Sequence, residues 1–72
     1  MAEEQLIDVR WLEPPEPFDR IVAAVETLPV AGSLRVLIHR EPRPLYNWLA
    51  RAGYHYRTQF VPDGWFEIKI TR

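Results

Sequence analysis

Residues 33–52 read SLRVLIHREPRPLYNWLARA, a stretch whose hydrophobic period changes in the middle. From Ser33 to His39 the period is two. Leu34, Val36 and Ile38 share one face, and Arg35, Leu37 and His39 share the other, as on a strand. Arg40-Glu41-Pro42-Arg43-Pro44 then stops that pattern. Proline cannot extend a sheet ladder, but it fits the first turn of a helix, where its missing N–H is not needed. From Leu45 onward the period is that of a helix. Leu45, Trp48, Leu49 and Ala52 form one stripe, and Gly53 stands where a left-handed cap belongs. The stretch predicts a strand, a stiff charged loop and a helix.

The same device occurs upstream. Gln5–Arg10 reads as a short strand, with Ile7 and Val9 alternating against Asp8 and Arg10. Leu12-Glu13-Pro14-Pro15-Glu16-Pro17 is a second proline loop. Phe18, Ile21, Val22, Val25 and Leu28 form a helical stripe, which Pro29–Gly32 ends. Downstream, Tyr54–Val61 and Trp65–Thr71 read as strands joined by the turn signal Pro62-Asp63-Gly64. The order is βαβαββ. Right-handed crossovers put both helices on one side of one sheet. The expectation is an α/β (α+β) two-layer sandwich whose other sheet face is bare.

Length and composition bound what such a fold can do. The 72 residues make one domain, 1–72, with 1–4 expected to be a flexible N-terminus. A core of this size leaves little room for a deep enclosed active site. No cysteine is present, so a thiol nucleophile, a persulfide carrier, a disulfide framework and a cysteine zinc site are excluded. No apolar run approaches the roughly 18 residues of a membrane span. The acidic start is unlike a signal peptide, and the expected location is cytoplasmic. Net charge is −1, which argues against a global nucleic-acid field. The charge is unevenly placed, however. Glu3, Glu4, Asp8, Glu13, Glu16 and Asp19 precede residue 20, with Arg10 as the one base before it. Arg35, Arg40, Arg43, Arg51 and Arg57 follow, with Glu41 as the one acid among them. Either the two halves face each other, or a local basic patch remains.

Two motifs carry a family resemblance. Ile7-Asp8-Val9-Arg10 followed by Leu12-Glu13-Pro14-Pro15-Glu16-Pro17 resembles the start of the TusA/SirA family of small sulfur-relay proteins. That family has Cys-Pro-x-Pro at the start of its first helix. Here Pro14 stands at the cysteine, and Pro15 and Pro17 match the prolines. His39-Arg40-Glu41-Pro42-Arg43-Pro44-Leu45-Tyr46 resembles the His-Asp/Glu-Pro-x-Pro-Leu motif of a TusA-related branch of unknown function that lacks the cysteine. The resemblance covers about residues 6–72. It implies a mixed sheet of order 1-2-4-3, with strand four antiparallel to the rest. It also implies a respiratory or redox-related partner protein. Sulfur transfer through a persulfide cannot be carried over, because proline has no thiol.

The residues themselves leave several functional readings. Parallel first and second strands set the loops 12–17 and 39–44 side by side, at the sheet edge where open α/β folds bind ligands. The candidate binding residues are Glu13, Pro14, Glu16, His39, Arg40, Arg43 and Tyr46. One reading is a non-catalytic protein-binding module. Stiff loops lose little entropy on binding, and Tyr46 and Asn47, expected to point outward, would join Trp11 in a recognition patch. The alternative is a small-anion, haem or metal site using the same two loops, with His39 as ligand and two helix N-termini converging. Five prolines remove the amides such an anion needs, and Glu13, Glu16 and Glu41 repel it. His39 reads more simply as a structural residue bonded to a loop backbone group. Glu13 or Glu16 pairing with Arg40 or Arg43 would brace the loops. General acid–base catalysis by those glutamates with His39 lacks a nucleophile. No cofactor, metal or catalytic residue is expected. The bare face should show Arg35, Leu37, Trp65, Glu67 and Lys69, with His55, Arg57 and Gln59 beside them, and Trp65 over the Lys69 stem. That face suits a protein interface or self-association. Stacking of single-stranded bases lacks an RNP-like motif.

Overall fold

The structure, a computed structural model, describes residues 4–72. The elements are β1 (Glu4–Asp8), α1 (Glu16–Glu26), β2 (Ser33–Ile38), α2 (Arg43–Ala52), β3 (His55–Val61) and β4 (Trp65–Thr71). The sheet runs β1-β2-β4-β3. β1 and β2 are parallel, and β4 is antiparallel to both β2 and β3. This is the βαβαββ two-layer sandwich of mixed order that the sequence and its resemblance imply.

The core lies between the sheet and the two helices. Leu34, Val36 and Ile38 of β2 and Ile68 and Ile70 of β4 meet Ile21 and Val25 of α1 and Leu45 and Leu49 of α2, all buried. Each helix supplies its apolar stripe and each central strand its alternate residues, as the periods require. α1 ends where Thr27 caps it, its hydroxyl donating to the Ala24 carbonyl at 2.9 Å. α2 ends at Gly53, whose φ of 86° is left-handed. The Tyr54 N–H then reaches back to the Leu49 carbonyl at 2.9 Å, which satisfies the last turn.

The N-terminal strand departs from expectation at both ends. Glu4, expected in a flexible segment, is paired with Ser33 and bridges to Arg35 at 3.1 Å. Residues 1–3 of that expectation lie outside the described residues. The strand stops at Asp8 rather than Arg10. The Asp8 carboxylate accepts the Arg10 backbone N–H at 3.0 Å and its guanidinium at 2.9 and 2.7 Å, which turns the chain out of the ladder. Val9 is still buried, with its N–H on the Leu37 carbonyl. No helix among the described residues is long and apolar enough to cross a membrane.

Candidate functional site: a proline-walled groove beside an exposed tryptophan

Parallel pairing of β1 and β2 delivers both proline loops to one end of the sheet. Between them lies a groove of about 520 Å³. Leu12, Pro14, Pro15, Pro17 and Phe18 line it from the first loop, and Ile38 to Pro42, Pro44 and Leu45 from the second. Its walls are overwhelmingly carbon. The Pro14–Pro15 peptide is cis. Prolines occupy the first turns of both helices, and neither helix has a side-chain cap at its N-terminus.

The helix N-termini have few donors to spare. At α2 the N–H groups of Arg43, Leu45 and Tyr46 are spent on the Glu41 and Pro42 carbonyls, and Pro44 has none. At α1 those of Glu16 and Asp19 bond the Glu13 and Pro15 carbonyls, and Pro17 has none. An anion at this edge would find a dipole but almost no N–H groups to hold it.

Trp11 is the residue that composition and periodicity did not single out for strain. Its φ is 69°, left-handed for a bulky side chain, and its surface is 67% exposed. A non-glycine residue in this region costs on the order of 1–3 kcal/mol unless its surroundings hold it. Two groups do so. The Asp8–Arg10 turn fixes the preceding backbone. The Trp11 N–H donates to Nδ1 of His39 at 2.9 Å, and the two rings lie 5.3 Å apart. The sequence signal was the Asp-x-Arg turn before an aromatic, visible only in retrospect.

His39 therefore binds a loop backbone group, the structural role the sequence favoured. Its tautomer has a chemical consequence. Because Nδ1 accepts, the neutral ring carries its proton on Nε2. The lone pair at Nδ1, the ring nitrogen that a metal would need bare, is already taken by the Trp11 N–H. Among the described residues, no three His, Cys, Asp or Glu side chains cluster as metal ligands.

The other candidates divide. Pro14, His39 and Arg40 line the groove. Glu13, Glu16, Arg43 and Tyr46 do not. The expected bracing of Glu13 or Glu16 against Arg40 or Arg43 is absent among the described residues. Glu16 instead bonds Arg20 at 2.8 Å, one turn along the same helix, a partner already at the right spacing. Arg43 reaches only Glu41, at 3.9 Å, and is well exposed. The loops are joined through the Trp11–His39 bond instead.

Tyr46 also departs from expectation. It turns onto β3 rather than outward, half-buried, with its ring stacked on Tyr56 at 4.5 Å and its hydroxyl 2.6 Å from the Thr58 hydroxyl. It flanks the Leu45–Leu49 stripe, so the helix roll that buries Leu45 carries it against the sheet. Its phenol donates to Glu41 at 3.3 Å. Burial first, and the Glu41 carboxylate after it, push the Tyr46 phenol above its ordinary range, with Thr58 working against them. Asn47, its expected companion, is exposed.

The acidic and basic halves meet on the open sheet face. Arg35 bridges Glu4 at 3.1 Å and Glu67 at 3.0 Å. The cation over Trp65 is Arg10, at 4.4 Å from the ring centre. The Arg10 bonds hold the Asp8 carboxyl down at about 2.

The comparison with known families matches residues 6–72 to an "Uncharacterized conserved protein (DUF2249)" family. The chain belongs to the DUF2249 family. Among solved structures, the DUF2249 chain is similar to the crystal structure of a SirA-like protein from Desulfitobacterium hafniense. The TM-score is 0.77 at 23% identity, covering 97% of this chain and 95% of that one. The SirA-like fold implied by the two proline motifs is thus shown across the whole domain. No curated protein matches the sequence.

Proposed function

We propose that this DUF2249 chain is a non-catalytic, TusA-like protein-binding module whose contact surface is the loop pair 11–17 and 39–46. The observation that carries the reading is Trp11, kept exposed in a strained conformation by its bond to His39, beside a carbon-walled groove. Tryptophan and arginine are the commonest energetic anchors of protein interfaces, and preformed apolar pockets receive such anchors from the other side. The proline walls are rigid before binding, which lowers the ordering cost. A partner that inserts an aliphatic or aromatic side chain into the groove and packs on the Trp11 indole satisfies both features. The resemblance suggests a respiratory or redox-related protein as that partner. The small-anion, haem and metal alternative has less support, because most amides at the two helix starts are spent or replaced by proline and Nδ1 of His39 is taken by the Trp11 N–H.

The test places a photo-crosslinking phenylalanine analogue at position 11 and, as control, at Val30, which is 80% exposed at the opposite end of β2. One defined adduct from position 11 and none from Val30 is expected. Trp11→Asn, which tolerates the left-handed backbone, should then weaken the purified partner roughly tenfold or more while leaving the fold intact. Equal adducts from both positions, or undiminished binding by Trp11→Asn, contradict the reading.

A further inference from the structure

A second surface lies away from the groove, on the outer side of β3. We propose that the free edge of β3 takes an extended acidic segment of a partner protein as an added strand.

The first observation is an unpaired edge. β3 closes the sheet, with β4 on one side and no strand beyond it among the described residues. Its register with β4 is unbroken from His55 to Val61. In an antiparallel ladder every second residue turns its N–H and C=O away from the neighbour, so about half of this strand's backbone groups face outward. Natural edges are blunted by proline, bulges or charged side chains, and the one fixed charge on β3 is Arg57. The sequence HYRTQFV has no proline or acid, and its pairing shows no bulge. The other edge, β1, is shorter, and its acids Glu4 and Asp8 are already engaged by Arg35 and Arg10.

The second observation is charge. Across the open face, Leu6, Arg35, Lys69 and Arg57 stand in one row. Glu4 and Glu67 offset Arg35. No carboxylate among the described residues pairs with Lys69 or Arg57, which lie directly opposite each other. Like charges so placed repel, and an incoming carboxylate relieves that cost. They form one side of a cleft of about 430 Å³ with His55, Tyr56 and Thr71. On the helix side of the same strand, Tyr56 and Phe60 are 39% and 58% exposed.

Together these define the occupant. Its backbone completes the ladder. Acidic side chains fall on the open face near Arg57 and Lys69, and apolar ones fall on the helix side against Tyr56 and Phe60. Two copies joined along β3 would bring both Arg57–Lys69 pairs onto one face, and the Glu67 that each copy carries there is already bridged to Arg35. A nucleic acid would meet the cations but leave the edge amides unpaired.

The test is an amide NMR titration of the whole chain with the peptide acetyl-TVEVEVT-amide. Saturable shifts at residues 55–60 and slowed hydrogen exchange at alternate β3 amides are expected. Affinity should fall with added salt and drop roughly tenfold or more in Arg57→Glu, which should in turn accept acetyl-TVKVKVT-amide. Arg57 is exposed, so the variant should keep a native spectrum, and Arg57→Gln gives a milder second reading with an intermediate loss. The proposal is overturned by an absence of shifts, by shifts confined to the groove loops, or by equal binding of both peptides to the parent chain. It is also overturned by concentration-dependent β3 shifts in the free protein or by an oligothymidylate that moves these residues when the peptide does not. The outcomes at β3 do not bear on the Trp11 crosslink, so the two surfaces stand or fall separately.

Discussion

Asp8 shows how one side chain sets the direction of a loop. Its carboxylate takes three bonds from Arg10, and those bonds hold its pKa near 2 against an ordinary 3.8. A carboxyl lowered on folding contributes stability that is present above about pH 4 and is lost as pH falls through about 2. Urea unfolding of the parent and Asp8→Ala should therefore differ at pH 5 and converge as pH approaches 2. A constant difference across that range would mean that Asp8 acts through packing alone. His39 is the second residue of this kind. His39→Ala leaves the Trp11 N–H without its acceptor, and a loss of about 1 kcal/mol is expected in urea unfolding. The variant should also lose the partner contact of Trp11→Asn, because the indole is no longer held. This level was the least legible in sequence. Nothing in residues 8–11 announces a left-handed tryptophan. Such conformations are imposed by tertiary partners, and His39 lies 28 positions away.

At the level of elements, period and punctuation were enough. Strands, helices and the Pro62–Gly64 hairpin stand where alternation, stripes and prolines put them, with shifts of a residue or two at the ends. What period could not give was helix roll. Tyr46 is adjacent to the buried Leu45, and a small rotation decides between solvent and the sheet. It chose the sheet, and its hydroxyl found Thr58. Tyr46→Phe should cost about 1–2 kcal/mol through the lost bonds to Thr58 and Glu41, with the ring stack on Tyr56 retained. Tyr46→Ala should cost about 2–3 kcal/mol, below the range for a fully buried aromatic because the ring stays partly exposed. Gly53→Ala forces a Cβ into a left-handed cap and should cost about 1 kcal/mol, although open space surrounds the position. Equal losses for Tyr46→Phe and Tyr46→Ala in thermal unfolding would assign all of the Tyr46 contribution to the hydroxyl.

For the molecule as a whole, the fold is a sheet with two unlike ends. One end receives both proline loops and their groove. The opposite end holds the Pro29–Gly32 turn, where Val30 is exposed. The loop pair could be placed from sequence because parallel strands and right-handed crossovers leave no other arrangement. Its chemistry was only partly legible. Charged residues drew attention, whereas the walls are Leu12, Phe18, Ile38 and the prolines, residues that a sequence assigns to core or to stiffness. Whether carbon at a loop pair closes on itself or stays open depends on backbone spacing across the loops, which no local pattern encodes. The surface is a shaped apolar cleft with an exposed tryptophan beside it. The decisive measurement is an amide and indole NMR map of the labelled chain with the protein crosslinked at position 11. The account predicts shifts at the Trp11 indole, Leu12, Glu13, Phe18 and His39–Glu41, with the Val30 turn unmoved. Shifts spread over the backs of α1 and α2, with those loop residues silent, would contradict it.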